Sequence, residues 1–310
     1  MPLAILCSGQ GNQHAGMFDL VADSPAAADL FKVATDLLGG RNPRQLVQAG
    51  RAADLEKDRT AQVLCVLSAL SLCAALGEDL PGDRLVAGYS VGELAAWKLA
   101  GVFDGIETLR LAATRASVMD AARDGLQGLL FVRGLSRSII DALCLRTETF
   151  VAIINPGDAY LIGGNDRALD DLEMACRKAS ATRSHRVGVH IASHTPLLAK
   201  ATPEFERRLG EVKVVHSLRP GIRLFSGVDG QPVLDLADGL RKLARQISFT
   251  VDWTACLKSC AEAGATAFLE LGPGHALSSM AGEVAPDVEA RAVEDFRTLN
   301  GLKDWLCRRQ

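Results

Sequence analysis

Apolar residues fall into short continuous runs, each ending in glycine or serine. Leu3-Ala4-Ile5-Leu6-Cys7-Ser8 enters Gly9-Gln10-Gly11, and Leu85-Val86-Ala87-Gly88 enters Tyr89-Ser90. Runs of this length without alternation read as strands buried on both faces, with the loops at their carboxyl ends. Ile222 to Ser226 and Thr266 to Leu271 repeat the pattern, the second ending at Gly272-Pro273-Gly274. Between these runs the spacing becomes helical. Arg59 to Leu76 reads as a buried helix with Gly77 as its cap, and Val91 to Ala100 as a second helix. Asp104-Gly105-Ile106-Glu107 reads as a capping box opening a helix to about Arg123, so Ser90 lies at a strand-to-helix turn and Arg115 well inside a helix.

From Gly125 to His190 the pattern changes. Leu129–Val132, Val151–Ile154 and Tyr160–Gly163 read as strands, and Ser136 to Leu143 and Arg167 to Ala179 as charged helices, predicting a small α+β insert. The expected domains are therefore 125–190, inserted into a larger unit of 1–124 and 191–310. No internal repeat or low-complexity linker interrupts them.

With 48% apolar residues in 310, the chain can bury a large core, and its 5% aromatic content beside abundant Ala, Leu, Val and Gly suits helices on a largely parallel sheet. A net charge of −3, spread without basic stripes, argues against a nucleic-acid partner. The eight cysteines show no C-x-x-C pairing, and no histidines have ligand spacing beside a carboxylate, so neither a disulfide framework nor a metal is expected. The N-terminus has no leader pattern and no membrane span is expected, leaving the cytoplasm as the default address.

Gly88-x-Ser90-x-Gly92 between a strand and a helix fits a nucleophile elbow, because the glycines permit a tight turn that exposes the serine hydroxyl. An ordinary strand-helix turn explains the pentapeptide equally well. Beside it, however, stand Gly9-Gln10-Gly11-Asn12-Gln13, Arg115, Ser193-His194, Gln246 near Trp253, and Glu270-Leu271-Gly272-Pro273-Gly274. In that order, over nearly the whole chain, these closely resemble the malonyl-CoA:acyl-carrier-protein transacylase family.

The resemblance implies an α/β fold, an α/β-hydrolase-like large domain with a parallel sheet interrupted by a small ferredoxin-like domain. It implies a Ser90–His194 dyad, with the second histidine nitrogen held by the Gln246 carbonyl, and an oxyanion hole from the N–H groups of Gln10 and Val91. Arg115 would bind the acyl carboxylate through paired charge-assisted hydrogen bonds, and Gln62 would line the pocket. The implied reaction is ping-pong. Malonyl-CoA acylates Ser90, CoA leaves, and the phosphopantetheine-type thiol of an acyl carrier protein collects the malonyl group, with no tightly bound cofactor. An acidic carrier would call for basic residues near the cleft. His14, His185, His190, His216 and His275 are read as surface or structural.

The chain departs from the family pattern at Tyr89, where histidine is usual, and at Val63 after Gln62. It departs again in Cys7-Ser8, in Asn155-Pro156-Gly157-Asp158 and in Thr250-Val251-Asp252-Trp253. Gly-Tyr-Ser-Val-Gly-Glu with this altered periphery looks like the malonyltransferase (epsilon) subunit of malonate decarboxylase, which implies that system's subunits as partners. The general fatty-acid or polyketide transacylase is the alternative. From other classes, a serine hydrolase or thioesterase would place an acid near the histidine and leave Arg115 without a purpose. A silent scaffold would not need all these residues together.

Overall fold

The computed structural model describes residues 2–309. Its strands in chain order are β1 (Leu3–Cys7), β2 (Arg84–Gly88), β3 (Gln127–Arg133), β4 (Phe150–Asn155) and β5 (Ala159–Asn165), followed by β6 (Arg183–Arg186), β7 (Ile222–Leu224), β8 (Val251–Asp252), β9 (Ala267–Leu271) and β10 (Glu289–Ala292). The first sheet is wholly parallel, in the order β10-β9-β1-β2-β7. Every residue of β1 and β9 is buried, as the unbroken apolar run of β1 requires, and in β9 the burial includes Glu270. In-register pairing of β1 with β2 and β9 puts Cys7 beside both Gly88 and Leu271. The three loops that follow therefore emerge together at the carboxyl end of the sheet.

The second sheet has the order β6-β3-β5-β4-β8. Strands β3 to β6, with helices Arg137–Thr147 and Asp166–Lys178, give the β-α-β-β-α-β succession of a ferredoxin-like unit, antiparallel throughout. Its strands alternate between two cores. Leu130, Val132, Val151 and Ile162 join the small cluster under the two helices, while Leu129, Ala152 and Ile153 face the large one. The architecture is thus the expected α/β one, a large parallel-sheet unit with a small ferredoxin-like unit packed on it. The fifth strand of the second sheet, β8, comes from far outside 125–190 and runs parallel to β4.

Helix Asp58–Leu76 bears on the expectation that no segment spans a membrane. The segment Asp58–Asp79 is long and apolar enough to cross a membrane, but 83% of its apolar stretch is buried inside the protein. It lies between helices Ala28–Leu37 and Gly105–Ala122 and the β-sheet, and this burial on several sides explains a composition with no polar stripe. Asp104 caps helix Gly105–Ala122 by accepting from Glu107 N–H at 2.7 Å, whereas the Glu107 side chain turns outward to Arg110. Seven of the eight cysteines are buried in these layers, and only Cys307 is exposed.

Candidate active site

Ser90 adopts φ +54°, a left-handed conformation costing roughly 1–2 kcal/mol for a non-glycine residue. The glycines on either side make that turn possible. A Cβ on Gly88 would lie 2.2 Å from Glu93 N, and one on Gly92 2.2 Å from the Cys7 carbonyl oxygen. Gly92→Ala is accordingly expected to lower stability by about 1–3 kcal/mol, since the clash is with backbone that cannot rotate away. A urea midpoint equal to that of the wild type would contradict this packing.

Ser90 Oγ lies 2.8 Å from His194 Nε2, and His194 Nδ1 lies 2.6 Å from the Gln246 carbonyl oxygen. A carbonyl can only accept, so Nδ1 carries the hydrogen and Nε2 presents its lone pair to the serine hydroxyl. His194 also sits at positive φ, +62°, its own N–H donating to Ile247 O at 2.7 Å. Burial, and then the charge of Arg115, push its pKa down to about 3, against the opposing Gln246 carbonyl. The ring is therefore neutral near pH 7.

Among the described residues, neither the Gln10 nor the Val91 N–H donates a hydrogen bond to another protein group. Val91 precedes helix Gly92–Leu99, while Gln10 follows Gly9, whose Cβ position would lie 3.4 Å from Ser90 Cβ. The Gln10 loop is fixed from beneath by Glu270, which accepts from Ser8 Oγ at 2.9 Å and from Ser278 N–H at 2.8 Å. This connects the Glu270-to-Gly274 motif with the site.

Arg115 is 1% exposed, in the middle of its helix. Its two terminal nitrogens donate to Gln62 Oε1 at 2.8 Å and Gln246 Oε1 at 3.1 Å. Burial lowers its pKa to about 10, still fully charged near neutrality. Gln246 thus has two functions, its backbone orienting His194 and its side chain holding Arg115. Only the first is implied by the resemblance.

Two further residues were missed by sequence reasoning. Asp58 accepts from Gln62 Nε2 at 2.8 Å, and Glu93 accepts from Gln246 Nε2 and from Gly227 N–H at 3.1 Å. Burial raises Asp58 to about 6 and Glu93 to about 7. The available signals were the i,i+4 spacing of Asp58 and Gln62 on one helix face, and a lone acid at Glu93 in an otherwise apolar run.

A cleft of about 350 Å³ lies between the two sheets, with Gly9, Gln10 and Tyr89 on one side and Phe131, Asn155 and Leu161 on the other. Tyr89 meets Trp253 edge to face at 5.3 Å, and burial holds its phenol well above the usual range. It contributes packing rather than a base. Arg133 reaches across the mouth to Glu283 at 2.9 Å. The other histidines have partners away from Ser90 or lie at the surface: His14 pairs with Glu294, His275 with Asp295 and His190 with Glu56, while His185 packs at a tilt against Phe131 and His216 is exposed.

The family profile described as "Acyl transferase domain" matches residues 5–297. A malonyl CoA-acyl carrier protein transacylase of Mycobacterium bovis is 30% identical over 314 residues, 97% of this chain and 99% of the relative. One from Haemophilus influenzae is 28% identical over 312 residues, 98% of each. Among solved structures, a malonyl-transacylase in complex with a type II polyketide synthase acyl-carrier protein superposes with a TM-score of 0.88 at 27% identity, covering 98% of this chain and 99% of the other. With fold, motif order and full-length similarity in agreement, the chain belongs to the acyl transferase family, among its malonyl-CoA:acyl-carrier-protein transacylases.

Proposed function

We propose that this acyltransferase moves malonyl from malonyl-CoA, through an ester on Ser90, to the prosthetic-group thiol of an acyl carrier protein. The observation that carries the reading is Gln246, which ties the Ser90–His194 pair and a buried, charged Arg115 into one rigid unit. A carboxylated acyl group held at Arg115 presents its thioester to Ser90 Oγ.

Ser90 Oγ bonds to the thioester carbon as its proton passes to His194 Nε2, and the oxyanion is held by the Gln10 and Val91 N–H groups. Collapse breaks the carbon–sulfur bond, and CoA leaves as the thiol with the proton from His194. The carrier thiol then gives its proton to His194, attacks the ester carbon and expels Ser90 Oγ, which recovers that proton. Gln246 O fixes the tautomer throughout. It stabilises imidazolium less than a carboxylate would, and a carbonyl at that position separates the site from a hydrolase with an acidic triad member. Residues 125–190 form one wall of the cleft against 1–124 and 191–310 and limit water. The reading keeps the expected cytoplasmic address and needs no bound cofactor.

For the acceptor, the relatives named above favour a general fatty-acid or polyketide carrier. Tyr89 and the Thr250-Val251-Asp252-Trp253 segment favour the dedicated carrier of malonate decarboxylase. Offering labelled malonyl-enzyme to both purified carriers decides between them. Transfer to the fatty-acid or polyketide carrier is expected, and exclusive transfer to the other would reverse the assignment.

A further inference from the structure

A buried guanidinium commonly meets its balancing carboxylate directly, in a two-pronged ion pair. Arg115 does not. Its described partners are neutral amide oxygens, and each of those amides is anchored by a carboxyl, Asp58 behind Gln62 and Glu93 behind Gln246. The negative charge stops one residue short of the cation. An incoming carboxylate therefore competes with glutamine oxygens, not with a resident anion.

We propose that Asp58 and Glu93 are positioning residues that set how firmly Arg115 holds an acyl carboxylate, acting through Gln62 and Gln246. The inference rests on the reading of Arg115 given under Proposed function. Each element around the cation contributes a group. Helix Asp58–Leu76 brings Asp58, helix Gly92–Leu99 brings Glu93, and the helix of Arg115 itself brings Asp120, whose charge acts on Asp58. The charge of Arg115 also acts on His194, and Cys256 lies near Glu93. The side chain of Gln10 also borders Asp58.

The sign follows from burial, which lifts Asp58 to about 6 and Glu93 to about 7. Below those values both carboxyls are neutral, and the charge of Arg115 is fully available to a ligand. As pH rises through them they ionise, pull on the guanidinium through the glutamines and weaken its hold. Conversely, a bound malonyl carboxylate adds negative charge and favours proton uptake by the pair. An acetyl group, being uncharged there, does neither.

The test compares kcat and KM for malonyl-CoA and acetyl-CoA in wild type, Asp58→Asn and Asp58→Ala between about pH 5.5 and 8.5. Asparagine still accepts from Gln62 but cannot ionise. Its malonyl-CoA KM is expected to be about 3- to 10-fold below that of the wild type at the alkaline end, with a flatter pH profile. Alanine frees Gln62, and KM is expected to rise instead. A merely structural role would move both variants the same way, and that result, or an unchanged profile in Asp58→Asn, overturns the proposal.

Should the alanine variant fail to fold, calorimetry of malonyl-CoA binding to Ser90→Ala, in buffers of different ionisation heat, gives a second readout. Proton uptake near neutrality is expected with malonyl-CoA and not with acetyl-CoA, and equal uptake overturns the proposal. Arg115→Ala run alongside separates the two levels. Malonyl preference surviving in that variant removes the reading of the site. Its loss there, with Asp58→Asn indistinguishable from wild type, removes only the role of the carboxyls.

Discussion

Ser90→Ala should leave no acid-stable label on the protein after incubation with malonyl-CoA labelled in the malonyl group, whereas the wild type should retain label as an ester. Transfer to a carrier should fall by about 10⁴-fold or more, because the proposed nucleophile serves both halves of the proposed cycle. The geometry makes the experiment clean. Alanine fits the space of serine, the left-handed turn is held by Gly88 and Gly92, and His194 keeps its Gln246 and Ile247 contacts. Label persisting on the alanine variant would place the nucleophile elsewhere.

Arg115→Ala is expected to reduce the preference for malonyl-CoA over acetyl-CoA by about 100-fold or more, the loss of a charge-assisted pair in a site shielded from water. The change acts on the base as well as on binding. Arg115 is the second cause of the low basicity of His194, after burial, so its removal moves the histidine pKa upward from about 3. Transfer of acetyl should therefore suffer less than transfer of malonyl. Arg115→Lys separates charge from shape, since a lysine keeps the charge but cannot reach Gln62 and Gln246 together in a planar fork. An unchanged preference in Arg115→Ala would remove the residue from the site.

The parts of the fold legible in sequence were those whose burial leaves a simple mark. Strands β1, β2 and β9 are mostly apolar and buried on both faces, and they carry the loops of Gln10, Ser90 and Gly272. Strand β6 was missed because Arg-Ser-His-Arg is a polar edge strand with no apolar run to find. Strand β8 was missed because Val251–Asp252 is too short to show a period, and its partner β4 lies far away in sequence. Similarly, Glu289-Ala290-Arg291-Ala292 in β10 buries only its last residue fully.

Legibility of the site followed the same logic. Ser90, Gln10 and His194 sit beside glycine turns or in recognisable order, whereas the contribution of Gln246 to His194 is a backbone carbonyl, which no side-chain pattern can announce. Asp58 and Glu93 resemble ordinary helix acids in sequence. Their significance comes from tertiary burial, which changes their acidity and aligns them behind two glutamines from different elements.

The buried cysteines have a consequence for an enzyme that shuttles acyl groups between sulfur atoms. On the proposed mechanism, a thiolate of its own near the cleft would compete with Ser90 for the thioester, or with the carrier for the ester, and would divert the acyl group into a dead-end adduct. Cys7 pairs in register with Gly88, two residues before Ser90, and Cys256 is tied to the Ser226 carbonyl at 3.2 Å. Burial drives both thiols far above the range in which they ionise, and lifts Cys260 to about 12. Sulfur used as filling for the core is thus kept out of the exchange chemistry, so the same fold can be rich in cysteine and selective for the thiols of its substrates.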